Sequence, residues 1–152
     1  MKPTNYKIVA VTPPAAIVDN AAFGTTTIDT LGFRFLEIFV FLGALDIAVA
    51  ALKVQESDDS GMSGAADVTG TRFGTDANDT GSASILPAAT DDNKFYKFEI
   101  DLRGRKRYLD LVLTGGDGSA GTFACAFALL HNGENEPTTA AQKGVAQLMR
   151  VP

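Results

Sequence analysis

The sequence predicts an all-β protein of one domain, a sandwich or barrel with long irregular loops. Three observations point there. Apolar residues recur with period two in several segments. Those segments are punctuated by Gly, Pro, Asn and Asp turn signals, and no stretch shows a strong helical period. The chain has 152 residues, of which 45% are hydrophobic, which suits one domain with a real core.

The segment with the strongest apolar character is residues 31–54, LGFRFLEIFVFLGALDIAVAALKV, whose only charges are Arg34, Glu37, Asp46 and Lys53. Across residues 33–42, Phe33, Phe35, Phe39 and Phe41 share one parity with Glu37 between them, and Leu36, Ile38, Val40 and Leu42 share the other. Both faces are apolar, so the strand is expected to be buried on both sides, within a sandwich or beneath a second subunit. The four phenylalanines are therefore the candidate core or oligomer residues. Gly43 and Ala44 are read as a turn, and residues 47–54 as a return strand that makes a hairpin. A membrane helix is the rival for this run. Glu37 and Asp46 would fall inside the span, at a cost of about 2.5 kcal/mol or more for an aspartate near its centre, and β-branched and aromatic residues favour a strand.

Upstream, residues 1–5 are expected to form a loose tail and residues 6–11 an edge strand ended by Pro13 and Pro14, since proline lacks the ladder donor. Residues 17–18 and 25–28 are short strand candidates. Residues 55–90 change character, with Gly, Ser, Asp and Thr dominating and only isolated apolar residues. A long loop or a run of short irregular strands is expected there, of the kind that marks a functional or partner-ordered segment.

Residues 94–102 show the clearest alternation. Tyr96, Phe98, Ile100 and Leu102 point one way, and Lys97, Glu99 and Asp101 the other, as in a half-solvated antiparallel strand. Residues 103–106 are read as the turn into a return strand over 107–113, and Gly115, Gly116, Asp117 and Gly118 as a further turn. In residues 122–130, Phe123, Cys125, Phe127 and Leu129 oppose three alanines, a small-residue face that allows close approach. Residues 138–149 form either a short helix or a tail.

The net charge of −5 argues against a general nucleic-acid binder. The single cysteine excludes an intrachain disulfide framework and suits a reducing compartment. The prolines and Asp19 interrupt any signal-peptide apolar region, so no export signal is expected.

Three chemistries can be weighed. Asp58, Asp59, Asp67, Asp76, Asp79, Asp91 and Asp92 supply oxygen ligands of the type calcium takes, but lack EF-hand spacing and fit turn-forming roles. Arg103, Arg105, Lys106 and Arg107 concentrate positive charge in an acidic chain and are the candidate partner-contact residues. The alternative is a solvated turn balanced by Asp101 and Asp110. Catalysis finds no footing. Cys125 and His131 lie about 20 Å apart along one strand, His131 is the only histidine, and no serine stands in a nucleophile-elbow context. No catalytic, cofactor-binding or metal residues are assigned, and no cofactor is expected.

The segments VDNAAFGTTTIDTLGF (18–33), ALKVQESDDSGM (51–62), ATDDNKFYKFEIDLRGRKRYLDL (89–111) and PTTAAQ (137–142) together resemble small virion structural proteins of tailed bacteriophages, among them head-decoration or capsid cement proteins. The resemblance implies a jelly-roll-like β-sandwich, a homotrimer bound to the major capsid protein at the capsid exterior, made in the host cytoplasm, with no nucleic acid or membrane partner. It carries over no functional residues. A receptor- or carbohydrate-binding module of a tail or fibre is the alternative, weakened by the absence of tryptophan.

Overall fold

A computed structural model of the chain describes residues 5–149. The tail expected at residues 1–5 lies outside them, save for Asn5. Among the described residues the chain forms eight strands: β1 (Tyr6–Thr12), β2 (Ile28–Asp29), β3 (Phe35–Leu45), β4 (Ala51–Ser57), β5 (Ala66–Asp67), β6 (Phe95–Asp101), β7 (Tyr108–Thr114) and β8 (Thr122–His131). They make two antiparallel four-stranded sheets, ordered β1-β8-β3-β6 and β2-β7-β4-β5.

The pairing is nested: β1 with β8, β2 with β7, β3 with β6 and β4 with β5. A long hairpin rolled so that successive strand pairs alternate between two sheets gives this order. The rolled edges then zip together through β3–β8 and β4–β7. The result is a β-sandwich with jelly-roll connectivity.

Two expected hairpins are not formed. Gly43 and Ala44 do not turn the chain. They lie within β3, which continues to Leu45 with a register shift between Leu42 and Leu45 opposite β8. Gly43 serves close approach instead, because a Cβ there would sit 3.0 Å from the Cβ of Phe123 on β8. The chain then crosses to the other sheet, where β4 pairs with β7 and β5. Residues 103–107 likewise connect β6 in one sheet to β7 in the other rather than closing a hairpin. The edge-strand expectation for β1 holds. The long 55–90 stretch contains the end of β4, the two-residue β5 and hydrogen-bonded turns, and residues 138–149 form turns rather than a helix.

The core lies between the sheets. Leu36, Ile38, Val40 and Leu42 of β3 are fully buried, as are Leu109, Leu111 and Leu113 of β7, Leu52 and Val54 of β4, and Leu130 of β8. The small face of β8 points inward, with Ala126 and Ala128 buried. β8 thus turns Phe123 and Phe127 outward, while Leu130 joins the core.

Candidate functional site: the outer face of the β1-β8-β3-β6 sheet

β3 is apolar on both faces, yet only one faces the core. The other is the outer surface of the sheet, and the strand register assembles a grid on it. Across one row stand Tyr6, His131, Phe35 and Asp101; across the next, Ile8, Leu129, Glu37 and Glu99. The third row is Ala10, Phe127, Phe39 and Lys97, and the fourth Cys125, Phe41 and Phe95. Directly opposed side chains on one sheet face lie within contact reach, and the aromatic residues use it. Phe39 stacks on Phe127 with ring centroids 5.1 Å apart, and Phe41 on Phe95 at 4.4 Å. His131 lies between the Tyr6 and Phe35 rings, at 6.1 and 6.3 Å. The Tyr6, Phe35, Phe39, Phe41, Phe127 and His131 rings are partly buried, while Phe95 and Phe123 are exposed at 64% and 44%. Phe33 departs from the expected set, since it precedes β3 and packs against the core cluster instead.

A charged cluster interrupts this surface, with Glu37 at the centre of the sheet and Lys97, Glu99 and Asp101 along β6. The Glu37 carboxylate accepts the Lys97 ammonium at 2.5 Å and meets His131 Nε2 at 2.6 Å. The Lys97 hydrogen bond holds the Glu37 carboxyl below its ordinary range, against the opposing effect of burial. The same contact, with a second from Glu99, raises Lys97. Lys97 also lies 5.2 Å from the Phe39 ring centre, a cation–π placement. Cys125 and His131 occupy this face too, on one strand and opposite Phe41 and Phe35 respectively, so they are not juxtaposed.

The four basic residues of the 103–107 connection each have an acidic partner within the chain. Arg107 pairs with Asp29 at 2.7 Å, Arg105 with Glu56 at 3.5 Å, Lys106 with Asp58 at 3.4 Å, and Arg103 with Asp101. Of the balancing residues expected from sequence, Asp101 is present and Asp110 is not among them. Asp110 instead lies on the other sheet, where burial raises its carboxyl and Thr25 hydrogen-bonds to it. Asp101 is lowered to about 2, chiefly by the Arg103 side chain. The basic cluster therefore braces the crossover between sheets, and about 83% of the Arg103 side chain remains open to solvent.

The acidic loop residues also act within the fold. Asp76 accepts the Arg72 guanidinium at 2.7 Å and the Gly70 amide at 2.7 Å. Asp67 receives Lys53 and Gln55, each at 2.8 Å. Asp59 caps Gly61, and Asp91 holds Ala88 and Lys94. Among the described residues, no three His, Cys, Asp or Glu side chains converge as a metal site.

The sequence singles out Phe35, Phe39 and Phe41 but not their outer-face partners Tyr6, Phe95, Phe127 and His131. The alternation on β8 gave part of that signal. What it lacked was the knowledge that β8 runs beside β3. No helix among the described residues is long and apolar enough to cross a membrane. In comparisons with known families, curated proteins and solved structures, nothing matches this chain.

Proposed function

We propose that this chain is a phage capsid decoration protein, a structural part that binds the outside of an assembled head and stabilises it by bridging major capsid subunits, with no turnover of substrate. The observation that carries the reading is the aromatic outer face of the β1-β8-β3-β6 sheet. Strands of 7, 10, 11 and 7 residues, about 4.8 Å apart, make a face of roughly 550 Å², of which the aromatic and aliphatic side chains of β1, β8 and β3 cover the greater part and the charged residues of β6 the rest. Contiguous apolar patches of a few hundred Å² on a soluble protein mark interaction surfaces, and a standard interface takes about 800 Å² from each partner. A sheet face of stacked phenylalanines suits a protein surface better than a small ligand, which prefers a concave pocket. Jelly rolls serve in capsid and lectin domains alike, so connectivity supports the class of role and does not choose the partner. A trimer, which the resemblance implies, needs a heterologous contact that closes after three steps.

A protein that binds only the assembled shell shifts the equilibrium toward it by RT ln(1 + [L]/Kd), about 2.7 kcal/mol per site at a hundredfold excess over Kd. Repeated over equivalent sites, this becomes resistance to internal pressure and heat. The test compares particles with and without the protein during heating, with genome release as the readout. Depleted particles are expected to release DNA at a lower temperature, and adding back protein that carries Phe39→Ser with Phe127→Ser is expected not to restore the higher one. Equal release temperatures would defeat the stabiliser reading and favour receptor or carbohydrate binding.

A further inference from the structure

The two sheets have four edges, and the chain treats them differently. On β1, the Ile8 amide donates to Lys143 O at 2.9 Å and the Val11 carbonyl accepts from Thr26 at 2.9 Å, so flanking segments cover that edge. The edges of the other sheet are β2 and β5, each only two residues long. β6 is different: seven residues long, paired on one side with β3.

The orientation of its backbone groups follows from its ends. Leu42 donates to Lys94 O at 3.1 Å and Leu102 to Arg34 O at 3.0 Å, so residues 94 and 102 are hydrogen-bonded partners of β3. Such pairs alternate along an antiparallel ladder. Tyr96, Phe98 and Ile100 therefore turn their amides and carbonyls toward β3. Phe95, Lys97, Glu99 and Asp101 turn theirs toward the free edge. Among the described residues no backbone group bonds to those four from that side. Beside the middle of the strand lies a cleft of about 460 Å³, walled on its far side by the loop carrying Arg72, Phe73 and Asp76, whose backbone does not bond to β6.

An unpaired edge is a template for another strand, and charges on it normally discourage pairing. Here the charges alternate in sign. If a second β6 approaches antiparallel about a two-fold axis through Phe98, residue pairs sum to 196 and Lys97 stands opposite Glu99 of the other copy. Glu99 likewise stands opposite Lys97, and Phe95 opposite Asp101. All four outward-turned residues on each strand are then in hydrogen-bonded pairs, giving about eight backbone hydrogen bonds. A shift by two residues in either direction places Lys97 opposite Lys97 or Glu99 opposite Glu99 and leaves backbone groups unpaired. Opposite charges across a strand pair stabilise it, and like charges destabilise it.

We infer that two copies of the chain join through their β6 edges, in the register that sets Lys97 of each against Glu99 of the other, to make one continuous eight-stranded sheet. The contact is isologous and closes at two copies. It continues the aromatic outer face across the axis, because Phe95 and its neighbours lie on that face in both copies. It stands independently of the capsid reading, since it requires no other protein, and it competes with the trimer that the resemblance implies, which would show three times the chain mass.

Light scattering on the purified chain at tens of micromolar tests it. Wild type is expected to show twice the chain mass. Lys97→Glu alone and Glu99→Lys alone place like charges across the axis, and each is expected to weaken the dimer at least tenfold. Mixing the two variants restores opposite charges at every facing position, and the mixture is expected to recover the wild-type mass. Amide exchange on wild type supplies a readout free of mutations. Amides of Phe95, Lys97, Glu99 and Asp101 are expected to be protected at high concentration and to exchange freely on dilution, while those of Tyr96, Phe98 and Ile100 stay protected throughout. A wild-type monomer, an assembly of any size indifferent to both substitutions, or concentration-independent exchange at the four amides overturns the inference.

Discussion

The two sheets bury similar aliphatic inner faces and present opposite kinds of outer face. On β3 and β8 the outward side chains are Phe35, Phe39, Phe41, Phe127 and Leu129, interrupted by the Glu37–Lys97–His131 contact. On β4 and β7 they include Lys53, Gln55, Tyr108 and Asp110. There Asp67 of β5 receives both Lys53 and Gln55, and Arg107 lies 4.9 Å from the Tyr108 ring centre. One outer face thus carries an ion pair and a hydrogen bond at Asp67 and a cation–π contact at Tyr108. The other leaves rings in water that would gain about 25 cal/mol for each Å² of apolar surface covered. The inner faces hold the fold together, so the outer difference concerns what the molecule meets. The aromatic face is the one proposed for contact.

The comparison breaks most sharply when an inner position is set against its outer neighbour. Ile38→Ala removes fully buried methyl groups from β3 and is expected to cost about 2–5 kcal/mol in urea denaturation. Phe39→Ala, one residue along and facing outward, should cost less, about 0.5–1.5 kcal/mol for its stacked partner plus the modest area it covers. It should nonetheless reduce particle binding, which Ile38→Ala should not do where the fold persists. Equal stability losses at the two positions would show that the outer rings act as a second core.

Acid sharpens the contrast next. Glu37 on the aromatic face is held below its ordinary value of 4.5, chiefly by Lys97, and Asp101 at the rim is lowered to about 2, chiefly by Arg103. A carboxyl depressed in the folded state binds fewer protons there than in the unfolded chain, so stability rises with pH through this window. It is therefore fully present above the unfolded values and is lost as pH falls from about 4.5 toward 2. Melting temperature measured across that range should drop, and Glu37→Gln should flatten part of the slope. A slope unchanged in Glu37→Gln would assign the acid sensitivity to other carboxylates.

The smallest effects belong to the exposed pairs. Lys53→Ala on the polar face should shift stability by about 0.2–1 kcal/mol. Arg105→Ser with Lys106→Ser should change stability by a similar amount, since Asp58 is solvated and the mostly buried Glu56 keeps the backbone amide of residue 106 as a donor. Any role of these residues in partner contact would appear as weaker particle binding that is most evident at low salt. Particle occupancy unchanged by the double substitution across salt concentrations would confine the cluster to bracing the fold.

The sequence by itself determined that the chain is β-rich, where most long strands run and which residues share a face. Alternation along 94–102 and 122–130 maps directly onto Phe98 and Ile100, or Ala126 and Ala128, pointing inward, because side-chain period in a strand is a local property of the backbone. Strand partnership was not legible there. Backbone hydrogen bonds look alike whatever side chains flank them, so neighbouring strands invite a hairpin wherever a glycine stands between them. Gly43 gave that signal for a different reason, the close approach of Phe123 across a strand more than seventy residues later. Only the packed structure decided that β3 lies between β8 and β6. That decision made the phenylalanines of one strand into a face, gave each basic residue of the 103–107 crossover an acid drawn from 29, 56, 58 or 101, and left β6 as the open edge. Such contacts join residues far apart in the chain, and they are selected by how the two sheets fill the space between them rather than by any local pattern.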